Sequence, residues 1–280
     1  AHRVLGERAL YVLDGIALGT RAIGHGARYQ ERRDAWLART EPTGVPRRPR
    51  PAGAHGVWAE HRVRDLLTSA DVPQLPARVA HSPKEAAEFA ADLGGRIVLK
   101  AVSDELVHKS EAGGVRLDVD PASAAAAYES LARDVASSRP DINMDGVLVT
   151  PYRPGGVELL VGVVTDPAWG KVLSLGLGGV WVEIFDDVAT RLLPLTEADV
   201  IGMLGSLRSA PLLHGARGST PVNLDAVSAV VVRIARLAES LGDALHTLEI
   251  NPLRVEGDAV EVLDALAVWH EEIEERGAAR

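Results

Sequence analysis

A chain of 280 residues with 46% hydrophobic and 25% charged positions is long enough for one large domain or two lobes with a proper core. Its formal charge of -9 speaks against a general nucleic-acid binder, because gripping a phosphate backbone needs a clustered positive surface. The lack of any cysteine excludes disulfides, thiolate metal sites and cysteine nucleophiles, and it suits a reducing cytoplasm.

The chain opens on "AHRVLGERAL", without an initiator methionine or a signal-peptide pattern, and reads as cut from something longer. Neither there nor further on does any window approach the roughly 18 consecutive apolar residues of a membrane helix. Residues 1–40 carry apolar positions at helical spacing, interrupted by glycines, and are expected as a helical tail. Residues 41–56 hold four prolines and no period, so they read as a linker whose arginines are solvated. From Val57 onward helices and strands alternate. A helix is expected at about 58–70. In "SPKEAAEFAADLGG", Ser82 caps a second helix, Pro83 takes its first position, Glu85 completes a capping box and Gly94-Gly95 ends it. "RIVLKA" is a short buried strand, and another helix opens at Asp120-Pro121 and runs to about Ser138.

"GVLVT" (146–150) and "VELLVGVV" (157–164) read as strands joined by the turn "PYRPGG", and "KVLSLGLGGVWVEIF" gives two more. Thr196 caps a helix reaching about Leu207. Asn223 caps a longer one that puts Leu224, Val227, Val231, Ile234, Leu237 and Leu241 on one apolar face. "HTLEINPLRV" and "AVEVLDALAV" read as a strand pair around Glu256-Gly257-Asp258, and 271–280 as a charged tail. The whole is α+β with mostly antiparallel connections: an N-terminal lobe at 57–150 and a C-terminal lobe at 151–270, meeting near 150–156.

Two constellations carry chemistry. In "LKAVSDELVHKSEAGGVRL" a lysine, Lys100, closes a buried run, and His108 and Lys109 precede the pair Gly113-Gly114. A buried lysine calls for an anion, and successive glycines let backbone N–H groups converge on a phosphate; a strand-end lysine reaching back to water and a plain glycine turn are the structural alternatives. No G-K-[ST] follows, so this is not a Walker loop, and "GLGGVW" is not a dinucleotide fingerprint. In "LEINPL", Glu249 and Asn251 lie two apart on a strand and share a face, and Asp264 follows on the next strand. Such an all-oxygen set suits Mg²⁺ bridging nucleotide phosphates. A turn-capping asparagine and carboxylates at strand ends are the structural alternative.

These stretches, with "PGGVELLVGVVTDPAWGKVLSLGLGGVWVEIFDDVATRLLPLTEAD" and "APLLHGARG", occur in family order over residues 57–270. They resemble the two-lobed ATP-grasp part of NDP-forming acyl-CoA synthetases, the ADP-forming acetate–CoA ligases related to succinyl-CoA synthetase β subunits. Residues 1–40 resemble the end of a preceding ligase domain in fused forms.

The resemblance implies ATP or ADP bound with Mg²⁺, Lys100 on the nucleotide phosphates under the loop at Gly113 and Gly114, and Asn251 and Asp264 on the metal. Glu249 matches a glutamate that steadies an incoming phosphohistidine. His108 matches a second relay histidine of the ADP-forming branch, or else only hydrogen-bonds phosphate. Thr150, Pro151 and Tyr152 occupy the inter-lobe hinge, where "VLVTPY" replaces a more usual Val-Gln-x-Met. Glu158 and Arg191 are candidate nucleotide contacts, and Lys109 and Arg217 candidate phosphate or partner contacts.

The implied activity is exchange of phosphate between ATP or ADP and a histidine, while a CoA-binding ligase partner carrying the primary phosphohistidine joins a carboxylic acid to CoA. Neither nucleic acid nor membrane is an implied partner, and the implied setting is cytoplasmic. The competing reading is a non-catalytic ATP-grasp-like regulatory module, as fused to protein acetyltransferases.

Overall fold

A computed structural model describes residues 15–38, 44–106, 109–178, 187–215 and 220–271. The chain divides into two units, Ala1–Thr43 and Gly44–Arg280. In the first, helix α1 (Ile16–Ala38) is mostly exposed and runs through Gly19, Gly24 and Gly26 without a break; residues 1–14 of the expected tail lie outside the described residues. Among the described residues no helix is long and apolar enough to cross a membrane.

The second unit holds two sheets. The larger has seven strands, β1 (Val57–Trp58), β11 (Ala265–Trp269), β9 (Leu245–Glu256), β6 (Val157–Asp166), β7 (Gly170–Leu177) and β8 (Val188–Leu192) in order, with β10 (Ala259–Val262) paired to β9. The smaller has four, in the order β2 (Arg78–Ala80), β5 (Gly146–Pro151), β3 (Ile97–Val102), β4 (Val115–Val119). The paired strands of both sheets run antiparallel. The second arm of the expected 246–268 strand pair is broken at Leu263 and Asp264, so β10 and β11 are separate strands, both paired with β9.

Side-chain chemistry sets the helices. Helix α3 (Pro83–Leu93) starts where Ser82 accepts from the Glu85 N–H at 3.2 Å and stops at Gly94, whose φ of 63° a side chain would resist. Glu85 reaches back to the N–H of His81 at 2.8 Å rather than to that of Ser82, so the capping box is shifted by one residue. The Asp120 carboxylate accepts from the Ala122 N–H and opens a 3₁₀ turn at Pro121–Ser123, from which α4 (Ala124–Ser138) continues. Thr196 and Asp199 form a reciprocal box at the start of α5 (Glu197–Ser206). A short helix α6 (Ala210–Leu213) follows. Asn223 then caps α7 (Leu224–Ser240) through the N–H groups of Asp225 and Ala226. Val227, Val231, Ile234 and Leu237 of α7 are buried with Leu159, Val161 and Val163 of β6 in the larger core; the smaller core joins Ala86 and Ala90 of α3 and Leu131 of α4 to β3 and β5.

Two features differ from expectation. Residues 57–150 do not pack as one body. Trp58 of β1, Val63 and Leu67 of helix α2 (Glu60–Thr68) and Val72 just beyond it join the larger core, because β1 pairs with β11. The Pro/Arg stretch at 44–56 has no regular element and is mostly exposed, yet it is anchored by side-chain hydrogen bonds. Arg48 donates to the Ser69 hydroxyl at 2.6 Å, and Arg50 to the carbonyls of Ala54 at 2.7 Å and His270 at 2.6 Å.

Candidate functional site

The period of two in β3 positions the site. Ile97, Leu99 and Ala101 enter the smaller core, so Lys100 points out of the opposite face, where it is still buried. Its ammonium meets the Glu60 carboxylate at 2.8 Å and the carbonyl of Leu263, and lies 4.0 Å from Asp264. Lys100 thus reaches from the smaller sheet to α2 and to the break between β10 and β11.

Lys109 arrives at the same place from the turn before β4. Its ammonium straddles both oxygens of Asp264 at 3.1 and 3.2 Å and lies 3.9 Å from Glu60. Glu60 also pairs with Arg64, one helical turn on, at 3.4 Å. Asp264 accepts from the Ala265 N–H at 2.8 Å, and its carbonyl receives the N–H of Asn251 at 3.1 Å. Asn251 donates its side-chain amide to Glu249 at 3.3 Å. Leu248 and Ile250 bury the other face of β9, which leaves Glu249 and Asn251 facing away from the larger core. Beside them Gly162 pairs with Glu249, and nothing stands within 4 Å of where its side chain would be. That face of the sheet is open.

Burial and pairing set the protonation states. Burial alone would lower Lys100, but Glu60 and Asp264 outweigh it and hold the ammonium above its usual range. Burial alone would raise Asp264, yet Lys100 and Lys109 keep its carboxyl below the ordinary value. Glu60, the most enclosed member, is pushed up by burial against the pull of Lys100. His61, lining the recess with Glu60, Lys100 and Lys109, has a buried Nδ1 with no hydrogen-bond partner, and burial lowers its pKa.

The structure therefore brings together Lys100, Lys109, Asp264, Asn251 and Glu249. Thr150 and Pro151 sit on β5 opposite Val98 and Ile97, and the Tyr152 N–H bonds to the Arg96 carbonyl at 2.9 Å. Arg191 stands apart, exposed on β8, the edge of the larger sheet opposite to β1. Glu158 is an exposed residue of β6 paired with Arg254. His108 and Arg217 lie outside the described residues.

The glycines have a different use from the expected phosphate cradle. The N–H of Gly114 bonds to the Lys109 carbonyl at 2.7 Å and that of Gly113 to Ser110 at 3.2 Å, so both donors are satisfied inside the turn. A side chain on Gly114 would stand 2.9 Å from the Lys109 carbonyl, and Gly113 has a φ of 69°.

Glu60 escapes the sequence reading. A glutamate in the first turn of a helix passes for a partner of the helix dipole. The available signal is its spacing: Glu60, Val63 and Leu67 fall on one buried face of α2, a place where a carboxylate needs a cation.

Among the described residues no three histidine, aspartate or glutamate side chains gather as a metal cage. Asn251 and Asp264 offer two hard oxygen ligands, which fits Mg²⁺, an ion that keeps waters and takes phosphate oxygens for the rest of its octahedron.

Lys100 of the smaller sheet and Lys109 of the turn before β4 thus face Asp264 and Asn251 at the larger sheet, and comparison with known proteins gives the fold its family. Residues 52–268 match the ATP-grasp domain, and the chain belongs to that family.

Among curated relatives, the β subunit of ADP-forming acetate–CoA ligase I from Pyrococcus furiosus is 33% identical over 74% of this chain and 89% of its own length. The fused ADP-forming acetate–CoA ligase I from Archaeoglobus fulgidus is 32% identical over 74% of this chain, which spans 30% of that protein. Among solved structures, the dinucleotide forming acetyl-coenzyme A synthetase 1 of Ca. Korarchaeum cryptofilum, in complex with coenzyme A and Ca-AMPCP, superposes with a TM-score of 0.74. It is 32% identical, covering 77% of this chain and 94% of that one. Another structure of that enzyme, with Mg-AMPPCP, has its phosphohistidine segment pointing towards the nucleotide binding site; its TM-score is 0.65 at 30% identity, covering 77% of this chain and 93% of that one. The relatives are NDP-forming acid–CoA ligases or their subunits.

Proposed function

We propose that the chain is the nucleotide-binding half of an ADP-forming acyl-CoA synthetase. It binds Mg·ATP or Mg·ADP between the two sheets and exchanges phosphate with a histidine. A CoA-binding ligase partner, separate or fused, carries the primary phosphohistidine and completes the reaction acid + CoA + ATP ⇌ acyl-CoA + ADP + phosphate. The supporting observation is the buried ammonium of Lys100, aimed from β3 at the Asp264 region of the opposite sheet. Lys100 would meet nucleotide phosphates, and Thr150, Pro151 and Tyr152 would border the base. Asn251 and Asp264 would hold Mg²⁺, which neutralises phosphate charge when bound. Glu249 would face the incoming phosphohistidine. The roles of His108 as a relay, and of Glu158 and Arg217 as contacts, rest on the family resemblance; Arg191, exposed on the far edge strand β8, is given no part in binding. The setting is cytoplasmic, as a cysteine-free chain allows. Retention of Lys100, Asn251 and Asp264 together supports a working enzyme over a decayed regulatory module.

Titration calorimetry of the chain with Mg·ADP tests this reading. Heat of binding that Lys100→Met and Asp264→Asn each weaken at least about tenfold, close to 1.4 kcal/mol, is the expected result. No nucleotide heat at millimolar concentration overturns it.

A further inference from the structure

The proposed phosphate and metal groups are not idle in this structure; they neutralise one another. Lys109 places its ammonium across both oxygens of Asp264, at 3.1 and 3.2 Å, with its side chain only 10% exposed. A hard cation bound to that carboxylate would need the same lone pairs, since its other neighbours are the Ala265 N–H, the Glu60 carboxyl and, at 4.0 Å, Lys100. Glu60 stands 3.9 Å from the same ammonium, far enough to be only a weak partner now and near enough to become a close one by side-chain rotation. The main chain need not move. The turn is fixed by Gly114 N–H to the Lys109 carbonyl at 2.7 Å, Ala101 N–H to the Gly114 carbonyl at 2.8 Å, and the Ser138 hydroxyl to the Ala112 carbonyl at 2.9 Å.

We propose that Lys109 is a tethered counter-cation that occupies Asp264 in place of the divalent metal, and that metal loading hands the ammonium over to Glu60. This rests on the reading of Asp264 as a metal ligand. In the exchange the metal takes Asp264, and Lys109 joins Lys100 and Arg64 on the single charge of Glu60, which leaves positive charge for the nucleotide phosphates to neutralise. Lys109 therefore lowers the affinity for free metal and disfavours loading without nucleotide, whose phosphates supply the further charge that binds both cations. Glu60 acts as a positioning residue by receiving the displaced lysine.

Binding of Mn²⁺ alone to the full chain, followed by electron paramagnetic resonance of the free ion, tests this without any turnover. Lys109→Gln and Lys109→Met should each tighten Mn²⁺ binding by about tenfold, the low end for a close charge pair. Glu60→Gln should weaken it, since Lys109 then has nowhere to go. Adding Asp264→Asn to Lys109→Gln should return the affinity to the wild-type level or below. Equal Mn²⁺ affinity in wild type and both Lys109 variants overturns the proposal. If the wild type still binds Mn·ADP in an Asp264-dependent manner, the nucleotide reading survives that failure; if it does not, both fall together.

Discussion

Glu60 shows how much one side chain can hold. It is 2% exposed and within reach of Lys100, Arg64 and Lys109, so together with Asp264 it lets two lysines stay inside the molecule. Truncation strands buried positive charge, and Glu60→Ala should lower stability by about 3–5 kcal/mol, read from chemical denaturation. Adding Lys100→Met should recover part of that loss; a simple sum of the two losses would show that the residues do not act as a pair. His61, next in sequence, makes a prediction about pH. Its folded pKa is depressed, first by burial, although Asp104 and Asp145 oppose it while Arg62 and Lys109 add to it. The unfolded chain therefore binds the proton more readily, and stability falls as the pH drops below about 6.5, the ordinary imidazole value. His61→Gln should flatten that fall between pH 7.5 and 5.5; an unchanged slope would assign the effect to other groups. At this scale the sequence was legible wherever a residue declares itself by its neighbours. Lys100 stands out in an apolar strand and Asn251 and Asp264 beside apolar runs. Glu60 did not, because its lysine partners are 40 and more positions away and only the fold supplies them.

The elements follow their local signals closely where a cap decides them. Ser82, Thr196 and Asn223 each start a helix with a side chain that accepts a backbone N–H, as their sequence context implies. Pairing was less legible. β5 and β6 are joined by "PYRPGG" yet belong to different sheets, and the arm after Gly257 splits at Asp264. Nothing local tells a strand which neighbour it will find. The connection is held instead by Arg254 of β9, 5% exposed, which donates to the carbonyls of Gly155 at 3.0 Å and Pro154 at 3.3 Å and pairs with Glu261 at 3.2 Å. The glycine pair was legible as a special turn, but for another physical reason. Its amides are spent within the turn, and it is the missing side chain that matters. Gly114→Ala would force a methyl group to 2.9 Å from the Lys109 carbonyl and 3.2 Å from the Ala101 side chain. It should cost about 1–3 kcal/mol and disturb Lys109. A variant as stable as wild type, by thermal denaturation, would mean that the turn yields easily.

On the scale of the whole molecule, the site is assembled from parts that neither sheet holds alone. Lys100 comes from the smaller sheet, Asp264 and Asn251 from the larger, and Glu60 from a helix that precedes the smaller sheet in sequence but packs with the larger. A ligand seated among them bridges the two cores and stabilises both against unfolding. Mass action sets the size: at a hundred times its dissociation constant a ligand adds about 2.7 kcal/mol. For 150–250 residues each kcal/mol raises the melting temperature by about 2–4 °C. Mg·ADP at that excess should therefore raise the midpoint of Gly44–Arg280 by roughly 5–11 °C. The variants divide by place. Lys100→Met should lose most of the shift relative to its own unliganded midpoint, whatever its starting stability. Arg191→Ala should keep it, because β8 is the sheet edge away from β1 and β11. If Arg191→Ala abolishes the shift while Lys100→Met retains it, the nucleotide lies along β7 and β8, and the buried lysine is a structural ion pair.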